Sequence, residues 1–478
     1  MGCMSSLVAE SMIARQPVEA QEIIRALQAE NAALRSELEE LRRLVTGKTP
    51  QNSSLPPSSQ HPHAKPGKLA KGPRRKKPKK RRGGQPGHAK HERPLIPTKD
   101  CDEALDLKPT ECRRCGEKLR GRDDQPLRHQ VWELPEIKPH VTEYRRHRLT
   151  CRACGTSTCA ELPAGVPTGT AGPRLVALVA LLMGCYRQSK RRTALFLEQI
   201  LGQPCSPGWV VKLQNQATAA VRPAYDELAA ALPRQPTLAL DETPTKEALH
   251  KAWLWTYVAR EFTLFAVRGS REATGVSEML GAEFAGVVTC DRARMYLSLR
   301  NVPWCWAHLK RDFQAWADSS DRRAQRLGWD LGAQVRRLFG DWRDFRAGTI
   351  SRGALVRRIG PVRRRIEQLL ARGAASGHKA FAGTCRELHE HRRRLWAFLK
   401  HDGVEPTNNA SERALRHAVI WRKLSFGTQS AAGSRFVETM LTVVESCRQQ
   451  GRRVFEYLAA ALEARCFGKH TPSLLPRT

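Results

Sequence analysis

The feature that most constrains the fold is a succession of short apolar segments between residues 237 and 291. Thr237–Asp241, Ala252–Val258 and Phe262–Val267 have the length and composition of consecutive strands. Arg271–Leu280 then has a helical pattern, and Ala285–Asp291 follows as a fourth apolar strand. The alternation of strands and a helix predicts an α/β domain with a core of its own.

Three consecutive strands, a helix and another strand is the order that opens a ribonuclease H-like domain. In that arrangement the first and fourth strands are neighbours, and both end in a carboxylate, Asp241 and Asp291. Because the active sites of α/β folds lie at the carboxyl ends of strands, we expect the two acids to meet at one sheet edge. Successive side chains of a strand point to opposite faces, so Asp241 and Glu242 cannot both serve one metal, and Asp241 is the predicted partner of Asp291.

A third acid is expected on a later helix, and Asn408–Arg413 begins one that carries Glu412. A different interpretation is open at this point. Asn409 and Glu412 have the spacing of a capping box, in which the acid only accepts hydrogen bonds from backbone N–H groups.

Two Cys-x-x-Cys-Gly motifs precede this region. Their four thiols, Cys112, Cys115, Cys151 and Cys154, predict the ligand set of one tetrahedral structural Zn2+, as in a zinc ribbon, and free thiols are the alternative. Residues 131–134 and 141–144 alternate between the motifs as strands would. Cys101 and Cys159 lie nearby as spare ligands.

The N-terminal segment has the heptad pattern of a leucine-zipper-like coiled coil, interrupted by Asn31. Its apolar positions are Ile24, Leu27, Leu34, Leu38, Leu41 and Val45. The pattern predicts a parallel dimer, and an amphipathic helix packed on its own core is the alternative.

A turn-rich and basic linker follows at residues 47–97. Its cations are expected to hold DNA phosphates without reading sequence, although a nuclear-localisation signal would look the same. The densest blocks are Arg74, Arg75, Lys76, Lys77, Lys79, Lys80, Arg81 and Arg82.

The net charge favours a polyanionic partner. The 478 residues include 81 Lys and Arg against 47 Asp and Glu, a formal charge of +34, which predicts nucleic acid first. The chain shows no secretory signal and no run of about 18 apolar residues, so we expect no membrane partner. We therefore expect a cytoplasmic, nucleoid-associated protein, in which the 14 cysteines are reduced thiols and some of them metal ligands.

Helices are predicted on both sides of the strand-rich part. Thr193–Ile200 and Pro207–Ala217 read as helix, turn, helix, with Ser206 as a cap. This pattern fits either DNA binding, with Lys212, Gln214 and Asn215 as groove contacts, or a plain helical hairpin. The Arg-rich stretch 311–400 is read as a helical insertion along DNA, and a solvated helix face would look similar.

Together these motifs resemble the insertion sequence 66 family of transposases, members of the DDE group. The matching features cover nearly the whole chain. They are the N-terminal leucine-rich helix, the Ser-rich linker 53–59, Gly83–His88, the Cys motifs, Asp241–Thr243, Cys305–Arg311, Asn408–Arg413, Trp421–Lys423 and Phe426–Gly427. Arg292 departs from the family by standing where Gly is common, and Thr407 stands where an Asp often precedes the Asn pair.

The resemblance implies a catalytic triad of Asp241, Asp291 and Glu412, and also small accessory proteins from the same element. Carboxylate oxygens suit two Mg2+ or Mn2+ ions about 4 Å apart, which activate the attacking oxygen and stabilise the leaving one. Water would free a 3′-OH at each element end, and that 3′-OH would attack target DNA. The cations that could position phosphates, or be ordinary surface charges, are His308, Arg311, Arg413 and Lys423.

The resulting division of the chain is multidomain α/β. It comprises a coiled coil (18–46), the basic linker (47–97), a zinc module (98–165), a helical region (170–232), a ribonuclease H-like domain (235–310 and 401–465) with its helical insertion (311–400), and a tail (466–478). The expected activity is that of a DNA transposase acting as a homodimer or higher oligomer. A non-catalytic zinc-containing DNA-binding regulator and a nuclease that cuts without joining are the competing functions.

Overall fold

The computed structural model of the protein describes residues 17–22, 24, 25, 27, 30, 31, 34 and 52, and residues 94–476 except 282. Over these described residues the fold is mixed α/β, with two small sheets and a larger number of helices. The strands are β1 Arg148–Thr150, β2 Ser157–Cys159, β3 Thr237–Glu247, β4 His250–Val258, β5 Thr263–Arg268 and β6 Val287–Thr289. The helices of eight residues or more are α1 Pro173–Gly184, α2 Lys190–Leu201, α3 Pro207–Ala231, α4 Ala273–Leu280, α5 Trp306–Ala317, α6 Arg322–Arg346, α7 Arg352–Ala375, α8 Ala382–Glu390, α9 Asn409–Ser425, α10 Ala431–Gln449 and α11 Val454–Cys466.

The larger sheet has the strand order β5-β4-β3-β6. β3, β4 and β5 form an antiparallel meander, and β6 pairs parallel to β3 after the crossover through α4. The three consecutive strands, the helix and the fourth strand are therefore present in the predicted order. Apolar side chains such as Trp255, Tyr257 and Phe265 are buried at its centre.

β3 is longer than predicted, and Asp241 is not its last residue. The antiparallel pairing with β4 continues from Asp241↔Thr256 to Glu247↔His250, whereas the parallel pairing with β6 stops at Ala239↔Thr289. Pro244 is tolerated in this extension because a proline fits a strand position that has no ladder partner on its N–H side. Asp241 therefore lies just past the end of the pairing with β6, in the part of β3 that pairs only with β4.

Helix α10 completes the sheet at the outer edge of β5. Three of its side chains, one helical turn apart, accept the backbone N–H groups that a further strand would have bound. Glu438 accepts from Val267 N at 2.9 Å, Thr442 from Phe265 N at 3.0 Å, and Ser446 from Thr263 N at 3.2 Å. All three are buried, so the helix both covers and satisfies the edge.

The predicted helix, turn, helix is confirmed as α2 and α3. Ser206 caps α3 by accepting from Trp209 N at 3.1 Å, and Pro207 stands in its first turn. α3 runs on to Ala231 and packs on the sheet, where Tyr225 Oη donates to Phe265 O at 2.8 Å. Gln214 is buried, so its prediction as a groove contact is wrong: it lies on the face that packs inward.

The helical character predicted between residues 310 and 401 is also confirmed. α5 to α8 fill this stretch, and Asp321 and Ser351 cap α6 and α7 through their side chains. Trp306 at the start of α5 packs against Trp396, with ring centroids 5.1 Å apart, and its Nε1 donates to Leu395 O at 2.8 Å. These contacts return the chain to the sheet before α9 begins.

The strands predicted at 131–134 and 141–144 are wrong. The structure has no strand in either segment, and Val131 and Val141 are more than three-quarters exposed. Alternation alone does not make a strand without a partner to bury its apolar face, and the pairing found in this module is β1 with β2.

The N-terminal predictions are covered only in part. The described positions from 18 to 34 are helical, and Leu27 and Leu34 are each about half exposed. Ile24 and Asn31 are also helical, whereas Leu38, Leu41, Val45 and the basic blocks from Arg74 to Arg82 lie outside the described residues. Among those described, no helix is both long and apolar enough to cross a bilayer.

Candidate functional site

Asp241 and Asp291 lie at the same level of two neighbouring strands. β3 and β6 are paired in the register Ala239↔Thr289, and each aspartate comes two residues later in its segment. Asp291 Oδ1 accepts from Ala293 N at 2.8 Å, which fixes the turn after β6. The two carboxyls are close enough for the charge of Asp291 to raise the pKa of Asp241.

The start of α9 is tied to both strands through the residues that precede the acids. Asn408, just before the helix, donates from Nδ2 to Leu240 O at 2.7 Å, and its backbone N donates to Cys305 Sγ at 3.1 Å. Cys305 N in turn donates to Cys290 O at 3.2 Å. Glu412 lies one turn into α9, and this network of buried groups holds it close enough to Asp241 for its charge to raise the pKa of that aspartate.

The capping-box interpretation of Glu412 is wrong. Asn409 is already the first residue of α9, Asn408 before it makes no side-chain cap, and the Asn408 N–H that a capping box would give to the acid is donated to Cys305 Sγ. Glu412 Oε1 is buried and has no hydrogen-bond partner among the described residues. The carboxylate is therefore available to a ligand instead of being used by the helix end.

The pKa values reflect the crowding of carboxyls. Burial is the main cause that raises the pKa of Asp241 well above its ordinary value, and the charges of Glu242, Asp291 and Glu412 add to it. Burial also raises the pKa of Glu412, against the opposing charge of Arg311. Three partly buried carboxyls that repel one another favour a bound cation.

Glu242 differs from Asp241 because its side chain is already paired. It is 2% exposed and accepts from Arg271, whose Nη2 is 2.5 Å from Oε1. Its other oxygen accepts from the Tyr296 hydroxyl. Burial raises the pKa of Glu242, and the bonds from Tyr296 and Arg271 oppose that rise. This geometry favours Asp241 over Glu242 as the acid that is free to bind a ligand.

Two of the four predicted phosphate-positioning residues contact Glu412. His308 Nδ1 lies 3.9 Å and Arg311 Nη2 lies 3.8 Å from Glu412 Oε1. Burial first, and then the charge of Arg311, lowers the pKa of His308 to about 4, so the imidazole is neutral near pH 7. Arg413 is exposed beside Glu412, whereas Lys423 is exposed near the other end of α9, about 16 Å away along the helix axis.

Arg292 has a structural role of its own. Its guanidinium pairs with Asp312 on α5, and its Nη1 lies 3.4 Å from Glu387 Oε2 on α8. Its backbone φ is not positive, so the position does not need the conformational freedom of the Gly that is common in the resembled family. The substitution instead links the turn after Asp291 to the helical insertion.

Cys305 is the neighbouring residue to which the sequence interpretation gave no role. Together with His308 and Glu412 it forms a group whose ligand atoms all lie within 4.8 Å of one another. Burial raises the pKa of its thiol, and the N–H of Asn408 opposes that rise. The Cys-x-x-His spacing at a helix start was the available signal, since residues three apart share a helix face.

The predicted zinc ligands form two separate knuckles, Cys112 with Cys115 and Cys151 with Cys154. Each turn closes on a left-handed glycine, Gly116 at φ 75° and Gly155 at φ 69°. Gly116 N donates to Cys112 O, and Gly155 N donates to Cys151 O, both at 2.9 Å. Within the described part of the chain, the group of three or more ligands at metal-binding distance does not include these thiols. The four-cysteine site therefore stays a prediction.

Comparisons with known proteins agree with the motifs. The Transposase IS66 family model matches residues 168–435, and a family of unknown function (DUF6444) matches residues 10–94. The chain is similar to uncharacterized protein y4hP of Sinorhizobium fredii, with 25% identity over 379 residues, 71% of this chain and 68% of the relative. It is also similar to y4qI of the same organism, with 26% identity over 251 residues, 48% of this chain and 45% of that relative.

The family match spans the helical region, the larger sheet and the start of α10. It therefore contains Asp241, Asp291 and Glu412 in one matched stretch. Because this stretch is more than half of the chain, the protein belongs to the Transposase IS66 family.

Proposed function

We propose that this protein cleaves DNA at transposon ends and joins the freed 3′-OH to target DNA, with Asp241, Asp291 and Glu412 holding two Mg2+ or Mn2+ ions. The observation that carries the proposal is the network from Leu240 and Cys290 through Cys305 to Asn408, which brings Glu412 beside the aspartates. The unpartnered Oε1 of Glu412 supports cation binding at this place.

The three carboxylates suit hard divalent ions, which prefer oxygen ligands and bind phosphate oxygens. When bound, such ions supply Lewis-acid activation of the attacking oxygen and stabilisation of the leaving oxygen. The protein contributes the fixed position of the acids: Asp241 on a paired strand, Asp291 in a bonded turn, and Glu412 in the first turn of α9. Arg311 beside Glu412 adds a positive charge for a phosphate.

The other parts of the chain are proposed to serve DNA binding and assembly. The sheet order β5-β4-β3-β6 supports a ribonuclease H-like domain, interrupted by a helical insertion. The two Cys knuckles would hold one structural Zn2+, and the exposed Leu27 and Leu34 would form the dimer seam. The basic linker and the formal charge of +34 support binding to transposon and target DNA in the cytoplasmic nucleoid. We include the domain division, an oligomer and accessory proteins in this proposal.

Substitution of each acid tests the chemistry. Asp241→Asn, Asp291→Asn and Glu412→Gln should each reduce nicking and strand transfer on paired transposon ends with Mg2+ by at least about 100-fold, because one ligand of the ion pair is lost. DNA binding, measured by gel shift, should be retained. Glu456→Gln is the control, since this exposed acid on α11 pairs with Arg174 far along the chain.

The outcomes separate the competing functions. Nicks with joined products in the unmodified protein agree with a transposase, whereas nicks without joining indicate a nuclease. DNA binding without either product indicates a regulator. Undiminished cleavage by Asp241→Asn would remove that residue from the site.

A further inference from the structure

We propose that Cys305, His308 and Glu412 form a second, sulfur-containing cation site for Zn2+, and that a Zn2+ ion bound there inhibits the protein by withdrawing Glu412 from the Mg2+ site. Binding at this site is independent of the proposed function, and the inhibitory consequence rests on it.

The geometry is close to that of a zinc site. The three ligand atoms lie within 4.8 Å of one another, and His308 Nδ1 is already 3.9 Å from Glu412 Oε1. Ligand atoms around a tetrahedral Zn2+ are about 3.3–3.8 Å apart, given bond lengths of about 2.0–2.3 Å. Closing the remaining difference requires side-chain shifts of about 1 Å.

The unpartnered atoms point to the same ligand. His308 Nδ1 and Glu412 Oε1 are both buried without a hydrogen-bond partner among the described residues. A buried nitrogen and a buried oxygen that face each other at this distance are costly unless a proton or a cation lies between them.

The backbone around Cys305 is suited to a metal-bound sulfur. Cys305 is the residue before α5, so its side chain lies at the positive end of that helix. The N–H of Asn408, at the start of α9, donates to its Sγ at 3.1 Å. Both features stabilise the negative charge that remains on sulfur when the thiol loses its proton to solvent and binds Zn2+.

The two proposed sites select different ions, and they compete because they share Glu412. Mg2+ prefers oxygen, and the sulfur and nitrogen of Cys305 and His308 select Zn2+ instead. Glu412 belongs to both sets, and a carboxylate oxygen that binds Zn2+ is turned away from the aspartates. We therefore expect Zn2+ to inhibit cleavage, and a higher Mg2+ concentration to require more Zn2+ for the same inhibition.

Direct metal binding tests the site without reference to cleavage. The full-length protein is titrated with Cd2+, and the sulfur-to-metal charge-transfer absorbance is recorded for the unmodified chain, Cys305→Ser and Cys385→Ser. Serine keeps an acceptor for the Asn408 N–H but is a poor ligand. Cys385 is an equally buried thiol on α8, so it controls for the loss of any core sulfur, and the knuckle thiols contribute equally to all three proteins.

The unmodified chain and Cys385→Ser should bind one more Cd2+ than Cys305→Ser. In cleavage assays at fixed Mg2+, the Zn2+ concentration that halves the rate should rise at least about tenfold in Cys305→Ser relative to its own uninhibited rate. If Cys305→Ser does not fold, His308→Gln replaces it, with the same loss expected. Equal Cd2+ stoichiometry and affinity in all proteins would overturn the site. Absent cleavage with an intact Cd2+ difference would count against the proposed function alone.

Discussion

The choice of Asp241 over Glu242 as metal ligand leads to a quantitative prediction for Tyr296→Phe. Tyr296 is 1% exposed, and its hydroxyl donates to Glu242, which is itself almost fully buried. A hydrogen bond to a charged group contributes about 1.5–3 kcal/mol. Because Arg271 remains paired with the same carboxylate, we expect a loss of about 2 kcal/mol in the free energy of unfolding.

Thermal unfolding in the presence of a chelator measures this loss. At about 2–4 °C per kcal/mol for a domain of this size, Tyr296→Phe should lower Tm by about 4–8 °C. Tyr257→Phe is the matched control, since Tyr257 is equally buried but its hydroxyl has no hydrogen-bond partner among the described residues. Removing that hydroxyl should leave Tm unchanged or raise it slightly.

The cleavage assay tests whether the hydrogen bond from Tyr296 to Glu242 serves stability alone or also metal binding. If Glu242 is only structural, Tyr296→Phe should cleave at the unmodified rate below its Tm, with the same Mg2+ dependence. An unchanged Tm combined with a shifted Mg2+ requirement would refute the reasoning, because it would mean that Tyr296 acts through a carboxylate that binds the ion.

Two further predictions concern the sheet edge and the acids. Thr442→Val should lower the free energy of unfolding by about 1–3 kcal/mol in chemical denaturation, because Phe265 N–H loses its buried acceptor. Thr439→Val removes a buried hydroxyl that has no partner among the described residues, and it should lower that free energy by less. Equal losses would contradict the edge-capping role of α10. Without divalent ions, Asp241→Asn should be more stable than the unmodified chain at neutral pH. Between its ordinary pKa and its raised pKa, Asp241 keeps a proton in the folded chain that the unfolded chain has released. The stability difference should therefore be largest above the raised pKa and shrink as pH falls from there toward the ordinary pKa of Asp, and a difference independent of pH would exclude this cause.

The elements that the sequence predicts well are those whose pattern is local. The strand predicted at 252–258 is β4, residues 250–258, and the helix predicted at 271–280 is α4, residues 273–280. Their apolar content and period are set within each segment. The end of β3 could not be predicted in the same way, since its last residues are held by pairing with β4 and not by their own composition. The segments at 131–134 and 141–144 fail for the opposite reason: their pattern is local, but no partner strand lies beside them.

For the candidate site, too, the acidic residues could be predicted from the sequence, whereas the contacts that surround them could not. Asp241, Asp291 and Glu412 were predicted from strand ends, order and resemblance, without knowledge of how they meet. The sequence could not indicate that the backbone N–H of Asn408 binds Cys305 Sγ instead of Glu412, because a capping box and a free carboxylate share one spacing. Likewise, the role of Glu242 as the partner of Arg271 depends on a contact between residues far apart in the chain.

The residues that assemble the site are therefore not the ones that would carry its chemistry. Leu240, Cys290, Cys305 and Asn408 are buried and connected by backbone or side-chain hydrogen bonds, and each lies within four residues of one of the acids or of His308. Such a frame fixes the backbone of the acids while leaving Glu412 Oε1 without a partner. A carboxylate held in this way can turn toward either of two neighbouring ligand sets with little movement of the main chain. The same frame that brings the third acid to the aspartates thus also places it within reach of a sulfur and an imidazole.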